Sequence, residues 1–294
     1  MTDLRIPNPR FQNLTPTGTR LRVFSVTSGK GGVGKTSIVI NLATAFARKG
    51  RKVLIIDADL GLANVDILLG LTPRENIHTL LSGEKTIDEV LVPGPAGISV
   101  LPASSGIYEL THLSSEQRIA LLTHLDGLED RFDTVLIDTG AGISSNVMYF
   151  NAAAQEIIVV VTPENTSIAD AYALIKVLST HFGQKHFHIL LNMVRNEFEA
   201  VNTFKKIDRA AERFLNLGLE YAGFIVRDDG IRQAANRQMP LLLADPGSAA
   251  ARSVRFVADG LLATQARGEL RGTPQFFWKR LLVEEQAPAV SGAK

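Results

Sequence analysis

There is no cysteine in this chain. Disulfides, thiolate-held metal sites and iron–sulfur clusters are thereby excluded. An excess of one charge sign is missing as well: 31 lysines and arginines face 30 aspartates and glutamates, a formal net charge of +1. Nothing in the bulk electrostatics argues for direct nucleic-acid binding, and only a basic patch assembled by folding could provide it. No stretch reaches the roughly 18 apolar residues of a membrane-spanning helix, and the N-terminus lacks the apolar core of a signal peptide. A cytoplasmic protein is expected. Internal repeats and long dividing linkers are also missing. What is present is an ordinary globular balance, 45% hydrophobic and 21% charged over 294 residues, which suits one large α/β domain or two small ones.

The most informative stretch is Val26-Thr27-Ser28-Gly29-Lys30-Gly31-Gly32-Val33-Gly34-Lys35-Thr36-Ser37. Gly29, Gly34, Lys35 and Thr36 satisfy the phosphate-loop spacing Gly-x4-Gly-Lys-Ser/Thr. Glycines let a backbone turn its N–H groups inward, and the concave anion site so formed ends on the positive N-terminus of a helix. Gly29, Gly31, Gly32, Val33, Gly34, Lys35, Thr36 and Ser37 are therefore expected around the phosphates, with Lys35 at the β/γ-phosphates and Thr36 on a Mg²⁺. The apolar strand pattern over 21–26 and the helical spacing over 37–46 supply the context the motif requires. Without a ligand the same residues would be a glycine turn. Lys30 is one cation more than the loop needs, so it either points to solvent or faces a second phosphate-bearing surface.

Apolar runs at 51–57, 97–101, 134–138, 157–161, 187–191 and 221–226 alternate with helical patterns at 115–130, 166–182, 199–216 and 247–264. Such alternation predicts a mostly parallel, doubly wound sheet of about seven to eight strands with helices on both faces and ligands at the strands' carboxyl ends. The expected organisation is an extended arm over 1–20, an α/β domain over 21–266 and a tail over 267–294. Asp57 and Asp59 end the second strand, where carboxylates can organise Mg²⁺ waters or an attacking water; an Asp there can equally cap a helix. Asp138 ends the run Val135-Leu136-Ile137 in the arrangement that holds Mg²⁺, usually through water, and an ordinary strand-end turn is the alternative. Near the C-terminus, Pro274 opens a stretch to residue 285 in which Phe276, Phe277, Trp278, Leu281 and Leu282 form an apolar face flanked by Lys279 and Arg280. That is the makeup of a helix lying in a membrane interface, or of one packing back on the body.

Gly-Lys-Gly-Gly-Val-Gly-Lys-Thr resembles the deviant phosphate loop of the MinD/ParA ATPases, and Asp-Leu-Gly-Leu-Ala-Asn-Val-Asp at 59–66 resembles switch I of their FleN/FlhG flagellar-number branch. The resemblance spans residues 21 to 283. It implies an ATP-dependent homodimer that hydrolyses ATP slowly, in which Lys30 crosses to the partner's ATP, Lys35 holds the phosphates and Asp59 positions the hydrolytic water. It also implies Asp57 near the Mg²⁺ shell, Asp138 holding Mg²⁺ through water, and Asn192 bonded to adenine with Arg227 and Asp228 beside it. There are departures: Asn165 replaces a usual proline, the loop 226–229 has none, Gly140 is expected to loosen switch II, and residues 1–20 lack the branch's Asp-Gln-Ala-x-x-Leu-Arg segment.

The implied function is a switch regulating flagellar number through a FleQ-like transcriptional activator or a FlhF-like flagellar GTPase, with peripheral contact at the inner membrane through the C-terminal helix. The alternative is a positioning or partition ATPase acting on septum placement or DNA segregation. An iron–sulfur relative is set aside because those clusters need thiolates. From the trans role of Lys30, Lys30→Ala should abolish ATP-induced dimerisation while nucleotide binding survives. Light scattering after chromatography with ATP checks this, and an unchanged dimer would refute the trans role.

Overall fold

The computed structural model describes residues 21–60, 63–103, 114–126, 128 and 130–264. The arm 1–20, Gly61 and Leu62 of the switch I stretch, and the tail with its amphipathic stretch 274–285 lie outside the described residues.

Aliphatic runs dictate the strands. Every residue from Val53 to Ala58 and from Glu156 to Val161 is buried, as parallel strands covered on both faces require. In chain order the strands are β1 (Arg22–Ser28), β2 (Val53–Ala58), β3 (Val92–Pro93), β4 (Ser99–Leu101), β5 (Thr134–Ala141), β6 (Glu156–Val161), β7 (Phe187–Val194) and β8 (Glu220–Val226). Among the described residues these eight form one sheet in the order β3-β4-β2-β5-β1-β6-β7-β8, parallel except where β3 meets β4. The helices are α1 (Lys35–Ala47), α2 (Val65–Leu69), α3 (Ile77–Leu81), α4 (Ile87–Val90), α5 (Ser115–Asp126), α6 (Ser145–Ala153), α7 (Asn165–His181), α8 (Glu197–Leu215), α9 (Asp229–Asn236), α10 (Leu241–Ala244) and α11 (Ala249–Ala263).

Alternation along each strand divides the core in two. Val26, Ile55 and Leu136 pack with α1 and α11. Their neighbours Leu54, Ile56 and Ile137 pack with α3, α5 and α6 on the opposite face, and Ile157, Val159 and Leu191 pack with α7 and α8. Helices on both faces and a central β1 put the loop after β1 at the carboxyl edge of the sheet, where such folds bind ligands.

Two expectations change. The strand expected over 134–138 runs on to Ala141, because β1 continues to pair with it (Ser28 opposite Ala141) and the Gly142 amide donates to Ser28 O at 2.9 Å. Gly140 is thus held in a strand and does not loosen a turn. The helical pattern expected over 115–130 gives a helix that ends at Asp126.

The amino edge of the sheet is closed by a buried ionic cluster. Arg22 donates to Glu156 through Nε (2.9 Å) and Nη2 (2.6 and 2.8 Å), and through Nη1 to Leu261 O at 2.6 Å, which ties β1 and β6 to α11. His188 of β7 lies 3.2 Å from the second Glu156 oxygen. Removing one partner of a buried pair leaves an uncompensated charge, so Glu156→Ala should lose roughly 3–5 kcal/mol of stability. Denaturant unfolding measures it; a loss below about 1 kcal/mol would mean that Arg22 finds solvent.

Candidate nucleotide site

The loop between β1 and α1 is shaped from outside by elements that come much later in the chain. A Cβ on Gly29 would stand 2.2 Å from the backbone carbonyl of Asp170 in α7, so only glycine fits there. Gly34, at φ 90°, lies under Asn192, and a Cβ on it would stand 2.6 Å from Asn192 Nδ2. Gly34 is also the N-cap of α1, where no side chain caps the helix and no acidic residue sits in the first turn. The amides at that end are therefore available to an anion. Lys35, the first residue of α1, is buried, with 8% of its surface exposed.

Across from Lys35 stand the carboxylates. Asp57 and Asp138 are register partners on β2 and β5, and both are 1% exposed. Asp57 accepts from the amides of Asp59 (3.2 Å), Asn64 (3.1 Å) and Val65 (3.2 Å), the last two at the start of α2. Burial, and then the neighbouring Asp138, nevertheless holds its carboxyl well above the usual range. Burial likewise pushes Asp138 up to about 7; Lys35 and a hydrogen bond with the Thr36 side chain oppose this, and Asp59 adds to it. Asp138 Oδ1 has no hydrogen-bond partner. Asp59 lies beside Gly140, where a Cβ would stand 3.4 Å from Asp59 Oδ1.

A divalent cation fits this donor set. Asp138 offers an orphaned buried oxygen and Thr36 a hydroxyl. Oxygen donors of this kind suit Mg²⁺, a hard cation that keeps several of its waters and is held through one or two carboxylates and phosphate oxygens.

Beside the loop lies a cavity of about 710 Å³ bounded by Gly34, Asn192, Met193, Arg195, Arg227 and Ile231, within the usual range for small-molecule sites. Asn192 is buried; its Nδ2 donates to Val33 O at 2.7 Å, and its Oδ1 has no partner. Its donor thus braces the loop while its acceptor stays open toward the cavity. Asp228 also borders the cavity, but both its oxygens serve the backbone, Oδ1 capping α9 at Gly230 N (2.8 Å) and Oδ2 accepting from Ala250 N at the start of α11 (3.2 Å). Arg227 is exposed at the rim.

Lys30 sits apart from Lys35. Its Nζ donates to Glu164 Oε2 at 2.5 Å and to Thr166 Oγ1 at 3.1 Å, at the start of α7, and its side chain is 38% exposed. No motif in the sequence singles out Glu164 or Thr166 as a partner for Lys30. Met193 carried no sequence signal at all: it adopts φ 58° at the cavity wall, the strained backbone often found at functional sites. Phe276, Phe277, Trp278, Leu281 and Leu282, expected from sequence on a membrane-facing helix, lie outside the described residues. No helix among the described residues is long and apolar enough to cross a membrane.

A strand, a clamped glycine loop, an uncapped helix and two facing carboxylates define a P-loop nucleotide-binding protein. Residues 24–241 match the CobQ/CobB/MinD/ParA nucleotide binding domain. The chain belongs to that family, in its FleN/FlhG branch, and is an ATPase. It is 41% identical over 273 residues to the antiactivator FleN of Pseudomonas aeruginosa, covering 93% of this chain and 96% of that protein. It is 32% identical over 286 residues to the flagellum site-determining protein YlxH of Helicobacter pylori, covering 95% of each. Among solved structures, a chain of the MinC:MinD cell division complex of Aquifex aeolicus aligns with a TM-score of 0.70 at 28% identity, over 83% of this chain and 96% of that one. MinD of Pyrococcus horikoshii complexed with Mg-ADP aligns with a TM-score of 0.67 at 25% identity, over 82% and 96%.

The raised Asp138 has a consequence for stability. It contributes stability that is fully present below the ordinary value of 3.8 and is lost as pH rises through about 7. In protein free of nucleotide and Mg²⁺, Asp138→Asn should therefore gain on wild type between about pH 5 and pH 8, by an amount on the order of a few kcal/mol. Urea midpoints at both pH values check it; a difference that does not change with pH contradicts the raised carboxyl.

Proposed function

We propose that this chain is an ATP-dependent dimerising switch that hydrolyses ATP slowly and restrains flagellar assembly through a transcriptional activator or a flagellar GTPase. The observation that carries the dimer is the separation of the two lysines. Lys35 is buried against the loop, whereas Lys30 is held at the rim by Glu164 and Thr166, where a second phosphate-bearing surface can reach it. Exchange of the Glu164 carboxylate for a partner's phosphate would keep Lys30 paired throughout. The flagellar reading is supported by two relatives matched over nearly their whole length, one named an antiactivator and the other a flagellum site-determining protein.

In this reading Lys35 and the amides of Gly29, Gly31, Gly32, Val33, Gly34, Thr36 and Ser37 hold the phosphates. Thr36 and Asp138, with Asp57 behind them, would hold Mg²⁺, which would supply charge neutralisation to the phosphates. Asp59 orients the attacking water, and Lys30 of each protomer completes the other's site. Asn192 Oδ1 takes the amino group of adenine, with Arg227 and the Asp228 turn at the cavity edge. Catalysis is then positioning and electrostatics, and slow turnover makes it a timer. One short amphipathic segment at 274–285 binds lipid weakly, and dimerisation doubles it.

The test is Asp59→Ala. With ATP it should form the dimer and keep it many times longer than wild type, and the dimer should float with anionic liposomes; with ADP neither protein should dimerise. Monomers in every nucleotide state would refute the switch. Salt-sensitive retention of the ATP form on DNA, without lipid binding, would favour a partition role.

A further inference from the structure

After α9 the chain makes a turn that most side chains resist. Gln238 adopts φ 52°, in the left-handed region where a Cβ is disfavoured. Its side chain is nevertheless engaged: Nε2 donates to the carbonyl of Ile67 in α2 at 3.1 Å. Beneath it lies Gly70, the left-handed C-cap of α2, where an added Cβ would stand 3.1 Å from Gln238 Cβ and 3.2 Å from its Oε1. A glycine at 238 would make the turn without strain, yet the chain carries a residue that can grip α2.

What the grip joins is the important point. The start of α2 is bonded to the site, since the amides of Asn64 and Val65 donate to Asp57 Oδ2. On its other side Gln238 is fixed to α9, its amide donating to Ala235 O at 2.9 Å and that of Met239 to Ala234 O at 3.1 Å. Ile231, Arg232 and Ala235 of α9 line the base cavity. An unbroken series of contacts thus runs from Asp57 through α2 and Gln238 to the wall of the cavity, passing outside the phosphate loop.

We infer that Gln238 is a positioning residue that couples the switch I end of the site to the base cavity, so that α2 and α9 move together. This rests on the reading of the cleft as an ATP site. ATP engages both ends, whereas ADP fills the base cavity without a γ-phosphate. A link between the ends therefore favours ATP over ADP, and cutting it removes that advantage. A side chain to backbone hydrogen bond of ordinary net strength corresponds to roughly a three- to tenfold change.

The experiment is calorimetric titration of wild type, Gln238→Gly and Gln238→Asn with a non-hydrolysable ATP analogue and with ADP, in Mg²⁺. Glycine removes both strain and grip; asparagine tolerates the left-handed turn but is one methylene too short to reach Ile67. Both variants should lose roughly three- to tenfold in the ratio of ATP-analogue to ADP affinity, mainly through weaker binding of the analogue. Amide exchange of residues 68–71 should also quicken in both variants without nucleotide. A ratio equal to wild type in both variants, or an equal weakening of both ligands, overturns the inference while leaving the ATP site intact. Wild type that binds neither ligand overturns the ATP site and the inference with it.

Discussion

Two carboxylates are buried side by side, one of them facing a lysine, and the architecture around the site follows from placing them there. Asp57 and Asp138 are register partners on adjacent strands, and each ends a run of aliphatic residues that could only lie inside a sheet. Like charges so close, at 1% exposure, resist ionisation together. Lys35 and Thr36 oppose this at Asp138, and three backbone amides oppose it at Asp57. Burial still prevails at both. The nucleotide-free site is thus poised to take up positive charge, which Mg²⁺ brings with the phosphates. The sheet order β2-β5-β1 is the connectivity that sets both carboxylates opposite the loop.

The loop itself is not a free-standing motif. Asp170 of α7 closes over Gly29 from one side, and Asn192 of β7 closes over Gly34 from the other. The start of α7 also supplies Glu164 and Thr166 to Lys30, so one helix both shapes the loop and holds the lysine proposed to reach across a dimer. Movement at the rim would be felt within one contact of the phosphates. Gln238 provides a second route, around the back of the site through α2 and α9.

Much of this was legible in the sequence. Buried parallel strands are continuous aliphatic runs, and β2, β6, β7 and the first part of β5 could be read as such; Asp57 and Asp138 stood at the ends of two of these runs, and Lys35 and Thr36 in the loop spacing that follows β1. Short helices were not legible: α2, α9 and α10 span 5, 8 and 4 residues, too few for a period to show. Helix α6 was hidden because it is buried nearly all round and holds a polar residue inside. Its Asn151 donates to Thr27 Oγ1 at 3.1 Å and accepts from Ser25 Oγ at 2.8 Å, contacts that no spacing announces. Strand β5 outran its aliphatic run because pairing with β1 carried it through Gly140. The double duty of Asn192 and the capping by Asp228 depend on elements brought together from distant parts of the chain.

The most direct measurement of the central claim is the proton balance of Mg·ATP binding near pH 7, by calorimetry in buffers of different ionisation enthalpy, for wild type and Asp138→Asn. If the buried carboxylates await a cation, wild type releases more protons than the variant, and the excess shrinks as pH is raised above about 7. Equal proton release by the two proteins across that range would contradict the account, because Asp138 would then already be ionised in the free protein.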